Sequence, residues 1–442
     1  MDRFLLIQQE RQGYARVEAQ ILRLATPGIR PGLSRIARLL NILGNPERTV
    51  PVIHLAGTNG KGSTGAFLER IFRSAGYVTG FYTSPHLIAL GERFLRKGIP
   101  LPASTWSQAL KRVEEALPLM PLEEVPSYFE IVTALAFLMA VSEGVELLIL
   151  ETGMGGRYDA TNLRAPVKAS VITTIAMDHQ EYLGNTLEEI GAEKFAIFRP
   201  RSFASFRGGA PELEARFLAA AERVKARAHL FSHSCTISEV GPTPEGNRFS
   251  FSEGDLVLPK VSISLRGRHQ VDNGAHALSV AWHLREHFPR LRREHLLEGL
   301  QKASWPFRGT LFPGEPPLFA DGVHNPEGAR AFAAMVAERW NDLPGKVLIF
   351  SCMKDKDAPQ MLDLLRGTAD HLICTCVPGL ERSARSDDLR EIALSRGWVS
   401  CEVCSSPLEA LERGKSRGSL VLVCGSLYLL GYMASEGGFS LS

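Results

Sequence analysis

Residues 52–64 constrain the fold of this chain more than any other stretch. They read VIHLAGTNGKGST: an apolar run, a glycine-rich turn, and then a lysine and hydroxyl residues that open the segment AFLERIFRSAG. This order predicts a β-strand, a phosphate-binding loop and a helix. Backbone N–H groups of the loop would converge on phosphate oxygens, while the helix N-terminus and Lys61 add positive charge. The N–H groups expected to do so belong to Gly57, Asn59, Gly60 and Gly62.

The loop departs from the common pattern G-x-x-x-x-G-K-[ST]. Counted back from Lys61, the first glycine of that pattern would fall at Leu55, and its hydroxyl position is occupied by Gly62. Ser63 and Thr64 follow one and two positions later. The displaced loop still indicates a nucleoside triphosphate, but it disfavours a generic NTPase.

Composition excludes several classes of partner. The chain has 442 residues, of which 45% are hydrophobic and 22% charged, so it is long enough for two domains or more. A formal net charge of +2 gives no electrostatic reason to expect nucleic acid or an anionic membrane. Charges and amides interrupt the first twenty residues, which disfavours a secretory leader or a membrane span there. We expect a cytoplasmic protein that binds small molecules.

The seven cysteines are an odd number, and reduced thiols are expected. Cys374-x-Cys376 and Cys401-x-x-Cys404 have spacings that zinc sites also use. Both pairs lie in apolar runs, HLICTCV and WVSCEVC, in which strand alternation sends successive side chains to opposite faces. The pattern therefore favours core cysteines over zinc ligands.

Polar side chains follow three predicted strands of the first part of the chain. YVTGFYTSPHL predicts a strand that ends near Tyr82, just before Ser84, and VELLILE predicts a buried parallel strand that ends in Glu151. KASVITTIAMDHQ is a third apolar run and ends at Asp178 and His179. Ligands of open parallel sheets bind at the carboxyl ends of the strands, and nucleotide enzymes place a magnesium-binding carboxylate there.

Two helices carry further candidates. SYFEIVTALAFLMAVSEG predicts a helix with Ser127 as its N-cap and Glu130 at the capping-box position. In NTLEEIGAEKFAIF, Lys194 has apolar neighbours and would have a depressed pKa if it were buried. Periodicity alone favours a lysine that extends to the surface instead.

The remainder divides into short alternating segments and a second α/β region. NRFSFSEGDLVLPKVSISLRG predicts antiparallel hairpins on the edge of the first domain, and a helix with Asn273 near its start follows. Beyond residue 303, strands alternate with helices, and Asp321, His324 and Ser426 again follow predicted strands. The fold class expected is α/β: a P-loop-type, mostly parallel sheet domain over residues 1–303, then a smaller Rossmann-like α/β domain over 304–442.

Taken in order, the motifs resemble the folylpolyglutamate synthase and dihydrofolate synthase family of the Mur ligase superfamily. Nine matching segments span nearly the whole chain, so a chance match is negligible. They read HLAGTNGKGS, YTSPHL, SYFEIVTALAF, LETGMGGRYDATN, DHQEYLGNTLEEIGAEKFAI, GRHQVDN, ADGVHNPEGA, MKDKD and CGSLYLLG. The family usually has proline-glycine-arginine-x-glutamate where this chain has Pro306-Phe307-Arg308-Gly309-Thr310.

The resemblance implies an ATP- and Mg²⁺-dependent amide ligase that joins L-glutamate to dihydropteroate, to the γ-carboxylate of folates, or to both. It implies that Lys194 is carbamylated, which reverses the surface interpretation, and that Lys61, Lys194 and His324 are catalytic. The residues that it implies for ATP are Gly57, Thr58, Asn59, Gly60, Lys61, Gly62, Ser63, Asn273, Arg308 and Asp321. Those implied for Mg²⁺ are Ser84, Glu151, His179 and the carbamate on Lys194. Those implied for the substrates are Ser127, Phe129, Glu130, Tyr158, Asp159, Ala160 and Ser426.

Two alternatives remain at this point. A Mur-type peptidoglycan amino-acid ligase would use the same chemistry on a different acceptor, but that branch usually carries a hydroxyl residue where this chain has Gly62. A non-catalytic nucleotide-binding protein is disfavoured because Lys61, Glu151, His179 and Lys194 occur together. We expect a monomer; the sequence decides neither the preferred folate, nor the polyglutamate length, nor whether both activities are present.

Overall fold

An eight-stranded sheet forms the framework of the first part of the chain in the computed structural model, which describes residues 3–28 and 30–438. Its strands lie in the order β4-β3-β2-β5-β1-β6-β7-β8. They are β1 (Val52–Ala56), β2 (Thr79–Tyr82), β3 (Phe94–Arg96), β4 (Ile99–Pro100), β5 (Leu147–Glu151), β6 (Val167–Ile172), β7 (Phe203–Phe206) and β8 (Arg227–Leu230).

The sheet is parallel from β2 to β8, and the antiparallel strands β3 and β4 extend the edge next to β2. Every residue of β1 and β5 is buried, as their continuous apolar sequences predict for parallel strands covered on both faces. Strand β1 lies between β5 and β6, with Leu55 opposite Glu151 and Val171. This arrangement confirms the predicted mostly parallel sheet.

Twelve helices precede or accompany the strands of the first part of the described chain. They are α1 (Arg3–Gln9), α2 (Arg11–Leu24), α3 (Ser34–Ile42), α4 (Lys61–Ser74), α5 (Ala103–Ala116), α6 (Tyr128–Ser142), α7 (Gln180–Leu183), α8 (Leu187–Phe195), α9 (Pro211–Arg223), α10 (Phe231–Ser234), α11 (Arg268–His283) and α12 (Arg293–Lys302). One apolar cluster includes side chains of α2, α3, α5, α6 and β5. A second cluster joins β6 and β7 to α8 and α9.

The alternating segments after α10 form a sheet of their own. Its strands are β9 (Thr236–Pro242), β10 (Asn247–Glu253) and β11 (Leu256–Ile263), in the order β11-β10-β9. The strands predicted in this segment are therefore present, and they pair with one another and not with the eight-stranded sheet. Alternation reveals strands but cannot say with which sheet they pair.

The last part of the chain is the predicted smaller α/β region. Its sheet has the order β12-β13-β17-β14-β15-β16, and only β12 is antiparallel to its neighbour. The strands are β12 (Thr310–Phe312), β13 (Leu318–Ala320), β14 (Lys346–Phe350), β15 (His371–Cys374), β16 (Cys401–Val403) and β17 (Leu420–Cys424). The helices are α13 (Pro326–Trp340), α14 (Ala358–Leu365), α15 (Ser386–Ser395), α16 (Pro407–Arg417) and α17 (Leu427–Ser435).

The contacts divide the chain into two units, which are described separately. Unit 1 comprises residues 1–240, 248–263 and 272–303, and unit 2 comprises 241–247, 264–271 and 304–442. The predicted domains also include residues 1, 2, 29 and 439–442, which lie outside the described residues. Among the described helices, none combines the length and apolar character that crossing a membrane requires.

Candidate active site

The loop after β1 is held by the end of the neighbouring strand β6. Thr58 N–H donates to the carbonyl of Thr174 at 2.7 Å, and Asn59 N–H donates to Thr174 Oγ1 at 3.1 Å. Thr173 Oγ1 donates to the Asn59 carbonyl at 2.7 Å. Two N–H groups of the loop are thus already bonded to β6, including that of Asn59, which was predicted to face phosphate.

Two glycines allow the loop to pass close to its neighbours. Gly57 has φ +151°, and a Cβ there would lie 1.9 Å from Thr173 Oγ1. Gly60 has φ +86°, and a Cβ there would lie 2.6 Å from the side-chain oxygen of Asn273. Asn273 lies on α11, so the structure brings this predicted ATP ligand next to the loop, within unit 1. Only glycine fits these positions without displacing a neighbour.

Lys61 begins α4, and its ammonium group donates to the carbonyls of Gly57 at 2.8 Å and Thr58 at 3.2 Å. The lysine therefore lies across the loop, while Gly62 is half-buried and Ser63 is buried in the first turn of α4. A positive charge, a helix N-terminus and a glycine loop meet at one place. Such a combination is typical of phosphate-binding sites.

The predicted polar residues follow adjacent strands at one edge of the sheet. Strands β2, β5, β1 and β6 are neighbours in that order. Ser84 follows β2, Glu151 ends β5, the phosphate loop follows β1, and His179 follows β6. Glu151 is 4% exposed, and its carboxylate accepts a hydrogen bond from the Thr83 hydroxyl. Ser84 is half-buried. His179 is exposed and has φ +49°, and its ring lies 3.7 Å from an Asp178 oxygen.

These residues do not form a ready-made cluster of metal ligands. Among residues 3–28 and 30–438, Glu151 and His179 belong to no group of three His, Cys, Asp or Glu side chains whose ligand atoms lie within 4.8 Å of one another. Mg²⁺ does not need such a group, because it keeps several waters and binds one or two carboxylates together with substrate phosphates. A buried carboxylate beside the phosphate loop fits that mode of binding.

Lys194 is buried, with 3% of its surface exposed, so the interpretation of a surface lysine is wrong. The glycine loop of residues 152–162 covers this end of α8: Arg157 N–H donates to the carbonyl of Glu193 at 2.9 Å, and a Cβ on Gly156 would lie 3.1 Å from the Lys194 Cα. Burial, reinforced by the charge of Lys61, lowers the pKa of Lys194 to about 7. The charges of Asp178 and Asp159 oppose that shift.

The loop that covers α8 also orders the second predicted group of substrate ligands. Asp159 is buried, and its carboxylate accepts from Met154 N–H at 2.8 Å and from Thr161 N–H at 3.0 Å. Burial raises the pKa of Asp159 despite these bonds. Ala160 is buried, whereas Tyr158 has 58% of its surface exposed. The structure therefore makes Asp159 a structural centre of the loop and leaves Tyr158 at its surface.

Ser127, Phe129 and Glu130 are held at the start of α6 as the capping box predicts. The Ser127 hydroxyl accepts from Glu130 N–H at 3.4 Å, and the Glu130 carboxylate accepts from Ser127 N–H at 2.7 Å and from Arg35 Nε at 3.2 Å. A Cβ on Gly153 would lie 2.6 Å from the Phe129 ring, so α6 contacts the loop of residues 152–162. The buried partner Arg35 was not among the predicted site residues.

In unit 2, Arg308 and Asp321 lie at the carboxyl end of β13. Asp321 is buried and accepts from Gly309 N–H at 2.7 Å. A Cβ on Gly322 would lie 2.3 Å from an Arg308 nitrogen. Burial raises the pKa of Asp321 to about 6, although the positive charge of Arg308 opposes the shift. Phe307 takes φ +54° where the family usually has glycine, and its buried ring packs 6.2 Å from that of Phe312.

His324 and Ser426 follow the neighbouring strands β13 and β17. His324 Nδ1 lies 3.0 Å from the carbonyl of Gly322. Ser426 is buried as the N-cap of α17, where its hydroxyl accepts from the N–H groups of Tyr428 at 3.1 Å and Leu429 at 3.4 Å. Arg308, Asp321, His324 and Ser426 therefore lie at one edge of the second sheet.

The raised pKa of Asp321 predicts a specific dependence of stability on pH. Because the folded state holds this proton up to about pH 6, whereas the ordinary pKa of an aspartate is 3.8, Asp321 favours folding at low pH and loses that contribution as pH rises through 6. Relative to the wild type, Asp321→Asn should gain about 2 kcal/mol of unfolding free energy between pH 4 and pH 7.5. Urea unfolding at both pH values measures this. Asp363→Asn, at a largely exposed ion pair with Arg396, is the control and should show no such gain.

The residues that the sequence did not indicate are mainly threonines. Thr173 and Thr174 fix the phosphate loop, and Thr83 bonds to Glu151. The only indication of these threonines in the sequence is their position, because each follows a strand that adjoins β1 or β5. Threonine is common after strands, so position alone could not separate them from ordinary turn residues.

Comparison with known protein families gives two matches. The Mur ligase middle domain matches residues 55–281, and the Mur ligase glutamate ligase domain matches residues 309–427. Together they cover every predicted site residue described above except Arg308, which lies one position before the second match.

Individual relatives and structures are similar over nearly the full length. The dihydrofolate synthase/folylpolyglutamate synthase of Bacillus subtilis is 35% identical over 407 residues, which cover 91% of this chain and 94% of that protein. The Mycobacterium tuberculosis folylpolyglutamate synthase complexed with ADP and AMPPCP superposes with a TM-score of 0.88 at 27% identity and covers 98% of this chain and 99% of that one. Escherichia coli FolC in complex with DHPP and ADP superposes with a TM-score of 0.84 at 28% identity, and the match covers 95% of this chain and 96% of that one.

Proposed function

Because this chain belongs to the folylpolyglutamate synthase/dihydrofolate synthase family of Mur ligases, we propose that it joins L-glutamate to dihydropteroate and to the γ-carboxylate of folates at the expense of ATP. The observation that supports this most strongly lies in unit 1. There, the phosphate loop, Glu151 and a buried lysine with a pKa of about 7 occupy the same edge of a parallel sheet. We set the Mur-type peptidoglycan ligase aside, because the relatives that match along nearly the whole chain are named as folate enzymes.

The difficulty of the reaction is that a carboxylate has no good leaving group. Transfer of the γ-phosphoryl group of ATP to the carboxylate of the acceptor gives an acyl phosphate, and ADP leaves. The glutamate amine then attacks the acyl carbon, forms the amide and releases phosphate together with a proton. The protein supplies positioning and charge stabilisation for the first step.

We assign the triphosphate to the loop at residues 57–63. Lys61 would exchange its bonds to the Gly57 and Thr58 carbonyls for phosphate oxygens, since a negatively charged acceptor bonds the ammonium group more strongly than a carbonyl does. Asn273, beside Gly60, would contact the same nucleotide. Arg308 and Asp321 of unit 2 are assigned to it on the resemblance.

Bound Mg²⁺ would neutralise charge on the transferring phosphoryl group. The residues assigned to hold it are Glu151, Ser84, His179 and a carbamate on Lys194. Glu151 fits best, as a buried carboxylate at the end of β5.

The surroundings of Lys194 support the proposed carbamylation. The neutral amine attacks CO₂, an N–C bond forms, one proton is released, and the side chain acquires a negative charge. At pH 7 about half of an amine with a pKa near 7 is neutral, whereas an unperturbed lysine offers roughly one molecule in a few thousand. A protonated Lys194 is repelled by Lys61, and a carbamate would be attracted to it.

The acceptor is assigned to the residues between α6 and the glycine loop. Phe129 would pack on the pterin, while Ser127, Glu130, Asp159 and Ala160 shape the wall and Tyr158 lies at the opening. In unit 2, His324 and Ser426 are assigned to the glutamate and phosphoryl-transfer region. Residues 1–303 would thus provide ATP binding and residues 304–442 the glutamate ligase domain, in a monomeric cytoplasmic enzyme that requires neither nucleic acid nor membrane.

ADP release by the purified protein tests this assignment. With Mg²⁺, ATP and glutamate present, we expect turnover with dihydropteroate and with tetrahydrofolate, and the product of each should gain one glutamyl residue by mass spectrometry. Omission of glutamate should abolish product, because nothing else attacks the acyl phosphate productively. Turnover with tetrahydrofolate alone would limit the enzyme to polyglutamylation, and turnover with neither acceptor would contradict the proposal.

A further inference from the structure

A cluster of metal-binding side chains lies in unit 1 among residues that the proposed reaction does not use. His229, Cys235 and Glu253 each place a ligand atom within 4.8 Å of the others, the one group of this kind within residues 3–28 and 30–438. They come from β8, the residue after α10, and the end of β10. His283, the last residue of α11, adds a fourth side chain, since its Nε2 lies 2.7 Å from Glu253 Oε1.

The carboxylate of Glu253 is unevenly bonded. Both His229 Nε2 and His283 Nε2 lie 2.7 Å from its Oε1. Its buried Oε2 has no well-aligned hydrogen-bond partner among the described residues, although the Ser279 hydroxyl and the Cys235 thiol also interact with the carboxylate. Burial by itself would raise the pKa of Glu253, but hydrogen bonds from His229, His283 and Ser279 outweigh burial and hold that pKa below its usual range. A buried carboxylate oxygen without a well-aligned hydrogen bond, next to two imidazoles and a thiol, has the geometry of a candidate metal ligand.

Neighbouring side chains orient the imidazole rings of His229 and His283. Phe203 stacks on His283 at 4.8 Å between ring centroids and packs at 5.3 Å against His229. His229 Nδ1 lies 3.1 Å from the hydroxyl of Ser205, which lies 2.8 Å from His276 Nε2. Histidines that bind metals usually have such a partner on the second ring nitrogen, which fixes the tautomer.

The hydroxyl of Ser205 allows two directions of hydrogen bonding. In the metal-free direction, His276 Nε2–H donates to the Ser205 hydroxyl, and that hydroxyl donates to His229 Nδ1. His229 Nε2–H then donates to Glu253 Oε1. In the reverse direction Ser205 donates to His276 and accepts from His229 Nδ1, which leaves a lone pair on His229 Nε2 facing Glu253. Burial lowers the pKa of His276 to about 3, so that ring is neutral and can accept. The second direction is the one that a metal ion requires.

We infer that His229, His283, Cys235 and Glu253 form a binding site for a divalent zinc-class cation, separate from the Mg²⁺ and ATP site. Two imidazoles, one thiol and one carboxylate are donors that zinc prefers, while magnesium prefers an all-oxygen set. On binding, the thiol of Cys235 loses its proton to solvent, the N–H proton of each imidazole moves from Nε2 to Nδ1, and Glu253 remains ionised. The ion would then link β8, β10 and α11.

Access to the site is compatible with exchange of the ion. Cys235 is half-buried, and the His283 side chain has 27% of its surface exposed, while His229 and Glu253 are buried. The other six cysteines lie between residues 352 and 424. Cys235 is therefore a specific reporter for this site.

Cobalt substitution of the whole chain tests the inference. After treatment with chelator, Co²⁺ is added in the presence of excess Mg²⁺, and the absorption spectrum is recorded. We expect one equivalent to bind, with visible bands of tetrahedral Co²⁺ and a thiolate-to-cobalt charge-transfer band, and Zn²⁺ should displace it. Cys235→Ser should remove the charge-transfer band. Cys376→Ser, at another half-buried cysteine, is the matched control and should leave the spectrum unchanged.

Two further measurements distinguish ligation from structural effects. Ser205→Ala retains all four ligands but removes the orienting hydroxyl, so it should weaken Co²⁺ binding by about 10-fold to 100-fold. In the wild-type protein, Zn²⁺ should protect Cys235 from alkylation, read by mass spectrometry, which requires no variant to fold. Absence of a thiolate band, or equal alkylation of Cys235 with and without Zn²⁺, would overturn the inference, and neither result would affect the proposed ligase.

Discussion

Lys194→Ala is expected to lower kcat for glutamate ligation by about 10² to 10³, as removal of a group that stabilises transition-state charge usually does. The variant removes the buried amine, and with it the proposed carbamate beside Lys61 and Mg²⁺. The empty space should accept a small carboxylate, so acetate or propionate should restore part of the rate. Steady-state ADP release with and without the added carboxylate measures both effects.

Three comparisons make the test specific for the carbamate. Lys194→Arg keeps a cation but cannot be carbamylated and stays charged, so it should be inactive and should not respond to acetate. Lys302→Ala, at a largely exposed lysine in an ion pair with Glu298, should behave as the wild type. In the wild type, activity at limiting bicarbonate should rise as pH passes 7, because the neutral amine is the reactive form. Full activity of Lys194→Ala would exclude the assignment.

Gly57→Ala is expected to weaken ATP binding by at least about 100-fold, which corresponds to about 2.7 kcal/mol. The new methyl group would lie 1.9 Å from Thr173 Oγ1, in a backbone conformation with φ +151° that side chains disfavour. Thr173 cannot rotate away freely, because its hydroxyl bonds to the Asn59 carbonyl and the residue is fully buried. The loop would have to move, and its phosphate-binding geometry would move with it. Isothermal titration with ADP measures the loss.

The control for this substitution is Gly76→Ala. Gly76 also has a positive φ, +82°, but a Cβ there would have no atom within 4 Å. It should lose about 1 kcal/mol of stability from its backbone conformation and retain full ATP affinity. The double variant Gly57→Ala with Thr173→Ala removes the close contact and should bind ADP better than Gly57→Ala alone. Normal ADP affinity in Gly57→Ala would show that phosphate binds elsewhere.

Much of the first site was predictable because its residues are tied to strand ends. Continuous apolar runs place β1 and β5 in a covered parallel sheet, and a parallel sheet puts its carboxyl ends at one edge. The phosphate loop and Glu151 follow from that rule with no knowledge of packing. The alternating segment at residues 247–267 was predicted to form hairpins, but its pairing into a separate three-stranded sheet with β9 was not predictable, since alternation specifies a face and not a partner.

Burial of individual charged residues was not predictable from local pattern. Lys194 has the spacing of a surface residue, and it becomes buried because a glycine loop more than thirty residues earlier in the chain covers the end of α8. The conformation of Phe307 is a similar case. This residue of unit 2 has a positive φ at a position where the family usually has glycine. The packing of its buried ring offsets a backbone strain of about 1 kcal/mol.

By itself, the sequence determined the order of strands, loops and helices, the position of the phosphate loop, and which polar residues end the strands. These depend on interactions between residues close in the chain. The tertiary structure alone decided that Thr173 supports the loop, that Asn273 lies beside Gly60, and that Lys194 has a pKa near 7. It also decided that His229, Cys235, Glu253 and His283 meet. Desolvation and contacts across many intervening residues set these features, and a linear pattern carries no distance information about either.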